Sequence, residues 1–220
     1  MTTALPRPRT PLDSAPTASY APGPQAVRQW YERELGWPTA PAAGQRGTEL
    51  LTGVRFDALE MPSEAGFTVL RRIPGTGTGP VALDGTRMRF LVAAGGAEQL
   101  PELLEWLEWG GIGLDLLALG EGDRMPAPLP GGPEAGAQCA LSAPGVPGQA
   151  GPQPVWLRPP EPGLEIEPTL PAAAVWGGPA GLGGGVDRAP DLVRLVGTAA
   201  TACHRARVQR AGRAQALAFS

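Results

Sequence analysis

The apolar positions of this chain fall into short blocks, each closed by glycine or proline. The first begins at Pro24, which suits the opening turn of a helix; Ala26, Val27, Trp30, Tyr31 and Leu35 follow at helical spacing until Gly36 ends the run. Trp37 and Pro38 turn the chain extended. From Thr48 to Met61 β-compatible residues dominate and predict a strand with Val54, Phe56 and Ala58 on one face. Ser63 is a good cap for a short helix over EAGFTVLRR, which Gly66 weakens by about 1 kcal/mol relative to alanine. PVAL and TRMRFLVA, joined at Asp84-Gly85, predict a hairpin. The strongest helical stripe is Leu100, Leu103, Leu104 and Leu107 with Trp106, opposite Glu98, Glu102, Glu105 and Glu108, and Gly110-Gly111 should stop it. Residues 112–119 (IGLDLLAL) predict a buried strand, and RMPAP a further short segment.

The order helix, strand, helix, hairpin, helix, strand, strand predicts an α+β domain over residues 24–130, a mixed β-sheet with helices packed on its face. Residues 1–23, with five prolines and no signal-peptide core, predict a flexible tail. Residues 131–153 carry turn residues at almost every second position and predict a linker or long loop. Beyond them, 154–220 predict a C-terminal extension. In it PVWLRPP adds one strand and an amphipathic helix over 189–211 presents Leu192, Leu195, Val196, Ala199 and Cys203.

Composition changes this picture modestly. Glycine (32) and proline (27) together fill more than a quarter of 220 positions, a level at which poorly ordered segments are expected. Yet all 18 basic residues are arginine and the chain contains no lysine or asparagine, the mark of GC-rich codon usage, which inflates both residues everywhere. A net charge of −3 gives no global attraction for nucleic acid or an anionic surface, so such binding needs a local patch. Cys139 and Cys203 lie far apart without a CxxC pair and read as reduced thiols. No run approaches the roughly 18 apolar residues of a membrane span, so the expectation is a cytoplasmic protein without a membrane partner.

Four segments, in order, resemble the bifunctional DNA primase/polymerase N-terminal family of actinobacterial and plasmid replication proteins, over about residues 26–130. AVRQWYERELGWPTAPAAG is similar to the family's opening helix and Gly-Trp-Pro step. LLTGVRFDALEMPSEAG is similar to the strand that ends in an Asp-x-Asp pair; here Glu60 falls on the first acid and Pro62 on the second. GTRMRFLV matches the strand with a central histidine, with Met88 in its place, and LDLLALGEGDRMPAPLPG matches the strand with the final acid, as Asp115. The resemblance implies a primase-polymerase-like fold, a link to DNA replication and a nucleic acid or replication protein as partner.

It also implies a depleted site. Nucleotidyl transfer with two metal ions needs carboxylates converging on cations about 3.5 to 4 Å apart. Pro62 offers no ligand, and Met88 offers none suited to a hard Mg²⁺ ion. The expectation is therefore a non-catalytic binding or regulatory module with no cofactor. The alternatives are an active primase/polymerase holding Mg²⁺ or Mn²⁺ on Glu60 and Asp115, or an interaction module unrelated to nucleic acid. Arg87, Arg89, Arg205, Arg207 and Arg210 are candidate contacts to nucleic acid or phosphate. Cations late in a helix also complement its dipole, which competes with that reading for the last three. Trp106 and Trp109, near Glu102 and Glu105, are a candidate partner surface or else core packing. The lone histidine, His204, reads as a surface or helix-end residue and not a metal ligand.

Overall fold

The computed structural model describes residues 22–42, 47–73, 75–131, 153–173 and 191–218. Residues 1–21 and 132–152, nearly all of the expected tail and linker, and Cys139 lie outside the described residues. Helix α1 (Pro24–Glu34) starts on its proline, and Gly36 turns out of it at φ 64°. Strands β1 (Thr39–Pro41), β2 (Thr48–Leu51) and β7 (Arg124–Pro126) form a small sheet in the order β1-β2-β7. The central sheet is built from β3 (Asp57–Pro62), β4 (Val81–Asp84), β5 (Arg87–Val92), β6 (Leu117–Leu119) and β8 (Val155–Arg158). Its order is β6-β3-β5-β4-β8 and every ladder is antiparallel. Helices α2 (Ser63–Arg72), α3 (Gly96–Trp106) and α4 (Leu192–Ala218) complete an α+β fold.

The central sheet is covered on both faces, which is why β3 and β5 are buried almost throughout. One core gathers Leu59, Met61, Met88, Phe90 and Val92 from the sheet with Ala65 and Val69 of α2, Leu100 of α3 and Leu192, Leu195, Val196, Ala199 and Cys203 of α4. The other gathers Ala58, Ala82, Leu91 and Trp156 with Val27 and Tyr31 of α1, Trp37, Leu50 and Met125. At its centre Trp156 Nε1 donates to Tyr31 Oη (2.8 Å), and Tyr31 Oη donates to the carbonyl of Pro128 (2.7 Å). Burial pushes the Tyr31 phenol well above its ordinary pKa, so it remains a neutral donor. Residues 154–220, expected as an extension, thus supply an edge strand and a principal helix of the same cores.

Several expected elements differ in extent. The run 48–61 is two strands in two sheets: residues 52–56 cross between them, with Thr52 Oγ1 donating to the Gly120 carbonyl (2.6 Å). Val54 therefore stands 60% exposed in the crossing, while Phe56 and Ala58 are buried. Asp84 pairs with Arg87, so the hairpin loop is Gly85-Thr86, one residue later than the sequence suggested, with Gly85 at φ 55°. Helix α3 stops at Trp106, before Gly110, and Glu108 takes the left-handed conformation (φ 63°). Only Leu117–Leu119 of the predicted 112–119 strand pairs, and it does so at the sheet edge, with Leu117 53% exposed. The final helix begins at Leu192, where Asp191 Oδ1 accepts from the backbone of Val193 and Arg194, and continues to Ala218.

Candidate functional site

Strand alternation decides what surrounds Glu60. In the antiparallel register Glu60 lies opposite Arg89, Pro62 opposite Arg87, and Met61 opposite Met88. Residues directly opposite share a face, so Glu60, Arg87 and Arg89 stand together on the side away from α2. Arg89 Nε donates to Glu60 Oε2 (2.7 Å) and its Nη1 to Asp84 Oδ2 (3.0 Å). Arg87 Nε donates to Glu60 Oε1 (2.9 Å), and its Nη1 to Asp115 Oδ1 (2.7 Å). Burial alone would lower the basicity of Arg87, but the bonds from Asp115 and Glu60 outweigh it and its pKa is raised.

The network continues onto the helices. Arg210 of α4 lies 3.6 Å from Asp115 Oδ2 and 3.0 Å from Glu64 Oε1, and Arg213 lies 3.7 Å from Glu64 Oε2. Four arginines and four carboxylates thus form one nearly neutral chain from Asp84 to Glu64. The two acids that would hold metal under the active alternative are in it, yet both oxygens of each lie within ion-pair distance of guanidinium groups. These residues do not fit a two-cation site. Among the described residues, no group of three or more His, Cys, Asp or Glu side chains is placed to hold a metal ion.

The other positions that the resemblance aligned are separated from this cluster. Met88 points into the first core beneath α2, on the face opposite Glu60, and Pro62 is buried at the end of β3. Asp57 is also on the opposite side from Glu60: its Oδ2 accepts from Ala97 N (2.9 Å) at the start of α3, a capping role in a nearly fully buried setting. Trp106 and Trp109 do not form one helical face, because α3 ends between them. Trp106 is 68% exposed, whereas Trp109 is partly buried with its ring 5.7 Å from that of His204. Arg207 donates to the Gly113 carbonyl, and with Arg87, Arg89 and Arg210 it is engaged inside the molecule.

Arg205 has a different neighbourhood, one that sequence reasoning missed. A groove of about 360 Å³ runs between α2 and α4, lined by Glu64, Thr68, Arg71, Arg72, Ala202, Arg205, Ala206 and Gln209. The available signal was the Arg71-Arg72 pair at the end of α2, but only tertiary packing brings it beside Arg205. The partners of the ion network missed from sequence, Asp84 and Glu64, are likewise local surface acids until the hairpin closes and α4 docks.

No family model, curated protein or solved structure matches this chain. Among the described residues no helix is long and apolar enough to cross a membrane.

Proposed function

We propose that this chain is a non-catalytic binding or regulatory module with a primase-polymerase-like fold, linked to DNA replication. The observation that carries the reading is the position of Arg87, whose guanidinium bridges Glu60 and Asp115. A two-cation mechanism needs those carboxylates free and converging on the ions; here a fixed organic cation occupies the place between them. The same bridge, with Arg89 and Asp84, serves to hold β3, the β4–β5 hairpin and the segment before β6 in register.

The test combines Mn²⁺ and Mg²⁺ titration calorimetry with primer extension on single-stranded DNA, on wild type, Glu60→Gln and Asp115→Asn. The expected outcome is no templated incorporation, even in assays sensitive far below the usual enzyme range of about 1 to 10³ per second. Extension by wild type that disappears in both folded variants would overturn the proposal and make the chain an active metal-dependent primase/polymerase.

One observation favours a second reading, an interaction protein unrelated to nucleic acid: Trp106 is 68% exposed beside the exposed Glu102 and Glu105. Exposed aromatic residues are favoured anchors at protein interfaces. On that reading Trp106→Ala abolishes partner binding, while stability changes by no more than about 0.5 kcal/mol.

A further inference from the structure

We infer that the groove between α2 and α4 is a binding site for a phosphate monoester dianion. The argument begins with charge. Arg87, Arg89, Arg210 and Arg213 each lie within ion-pair distance of a carboxylate, but Arg71, Arg72 and Arg205 have no carboxylate partner among the described residues. All three line one groove. Glu64, the one acid there, is paired with Arg210 and Arg213. A local excess of three positive charges therefore stands on a chain whose net charge is −3.

Helix-dipole complementation accounts for part of this excess only. Arg71 and Arg72 fall in the last turn of α2, where cations are favourable, but Arg205 stands in the middle of α4 where the dipole gives nothing. Like charges gathered without that compensation point to an anion that completes them. The surrounding groups are the right kind: Arg71 Nη2 donates to Thr68 Oγ1 (2.9 Å), which restrains that guanidinium, and Gln209 adds an amide donor. Guanidinium forks match phosphate oxygens in pairs, and a terminal phosphate offers three such oxygens with close to two negative charges.

The lining also selects among phosphates. It contains no aromatic side chain on which a base could stack, and the arginines form one cluster and not a stripe tracking successive phosphodiesters. A terminal phosphate, from a small phosphorylated molecule or from a phosphorylated protein side chain, has the matching chemistry. Glu64 ends the ion chain that includes the Glu60–Arg87–Asp115 bridge, but Arg71, Arg72 and Arg205 take no part in that bridge, so the two tests can fail independently.

Titration calorimetry in low salt, with glycerol 3-phosphate in one arm and a phosphoserine peptide in the other, tests the inference on the full chain. Saturable binding of at least one probe is expected. Arg205→Gln should weaken it roughly tenfold, the equivalent of about 1.4 kcal/mol, and Arg71→Gln with Arg72→Gln should weaken it further. Glu64→Gln, which removes the competing acid, should tighten it. Arg28→Gln on α1 should leave it unchanged. The preferred arm tells a small ligand from a protein one. The inference fails if neither probe saturates, or if Arg28→Gln loses as much affinity as Arg205→Gln. It also fails if an oligonucleotide without a terminal phosphate binds and glycerol 3-phosphate does not compete. Arg205 and Arg28 are both exposed, so unchanged thermal midpoints will show that the variants are folded.

Discussion

A Cβ on Gly66 would lie 2.3 Å from Met88 Sδ and 2.8 Å from Met88 Cβ. The residue that weakens α2 as an isolated helix is therefore the one that lets α2 sit directly on β5. Helix propensity favours alanine there by about 1 kcal/mol. Overpacking a closed core costs about 1 to 3 kcal/mol, and the clash is with a fully buried side chain. Gly66→Ala is expected to destabilise the fold, read as a lower urea midpoint; a higher midpoint would mean that Met88 moves aside freely. Cys203 sets a second expectation. Burial, followed by the nearby charge of Asp115, pushes its thiol up to about 12, whereas an unfolded cysteine ionises near about 8.5. The native state thus keeps a proton that the unfolded chain releases. Stability from this group is complete below pH ~9 and declines towards pH ~12. Denaturant titrations at increasing pH should show that decline, and Cys203→Ala should flatten it.

Among the elements, the bridge between strands makes the sharpest test. Arg89 is largely buried and bonded to Glu60 and Asp84, so removing Glu60 leaves a guanidinium short of one partner. Glu60→Ala is expected to cost about 1 to 3 kcal/mol, and Glu60→Gln less, because an amide oxygen can still accept from one arginine. A loss below about 0.5 kcal/mol in urea would show that the network adds nothing to sheet stability. In α3, Leu100→Ala should cost about 2 to 5 kcal/mol, the range for emptying a packed leucine site, and Leu103→Ala less, since it is only partly buried.

Elements with a strong local period were legible in the sequence: α1, α3, the β4–β5 hairpin and the stripe of α4. Those set by tertiary pairing were less so. Residues 48–61 look continuous because strand propensity says nothing about which sheet a residue joins, and the crossing at 52–56 is fixed by Thr52 and Gly120, far apart in the chain. Met88, which the resemblance aligned with the family's histidine, stands on the face opposite Glu60, because a one-residue difference in register reverses the side a residue takes. Glu60, Asp115, Arg87 and Arg89 could each be singled out in the sequence, but their mutual neutralisation depends on the hairpin closing and the segment before β6 coming alongside.

At the scale of the molecule, α4 completes what β3 begins. Its Leu192, Leu195, Val196, Ala199 and Cys203 close the helix-side core over Leu59, Met61 and Val92. Those sheet residues are made a hundred or more positions earlier, and synthesis adds only about 5 to 20 residues per second. For several seconds of every round of translation the growing polypeptide must then carry this apolar face covered only by α2 and α3, unable to finish closing it with what has already left the ribosome. Nascent chains arrested before Leu192 are expected to be cut rapidly by protease and to recruit holdase chaperones, whereas chains arrested once residues 192–206 have cleared the exit tunnel should resist.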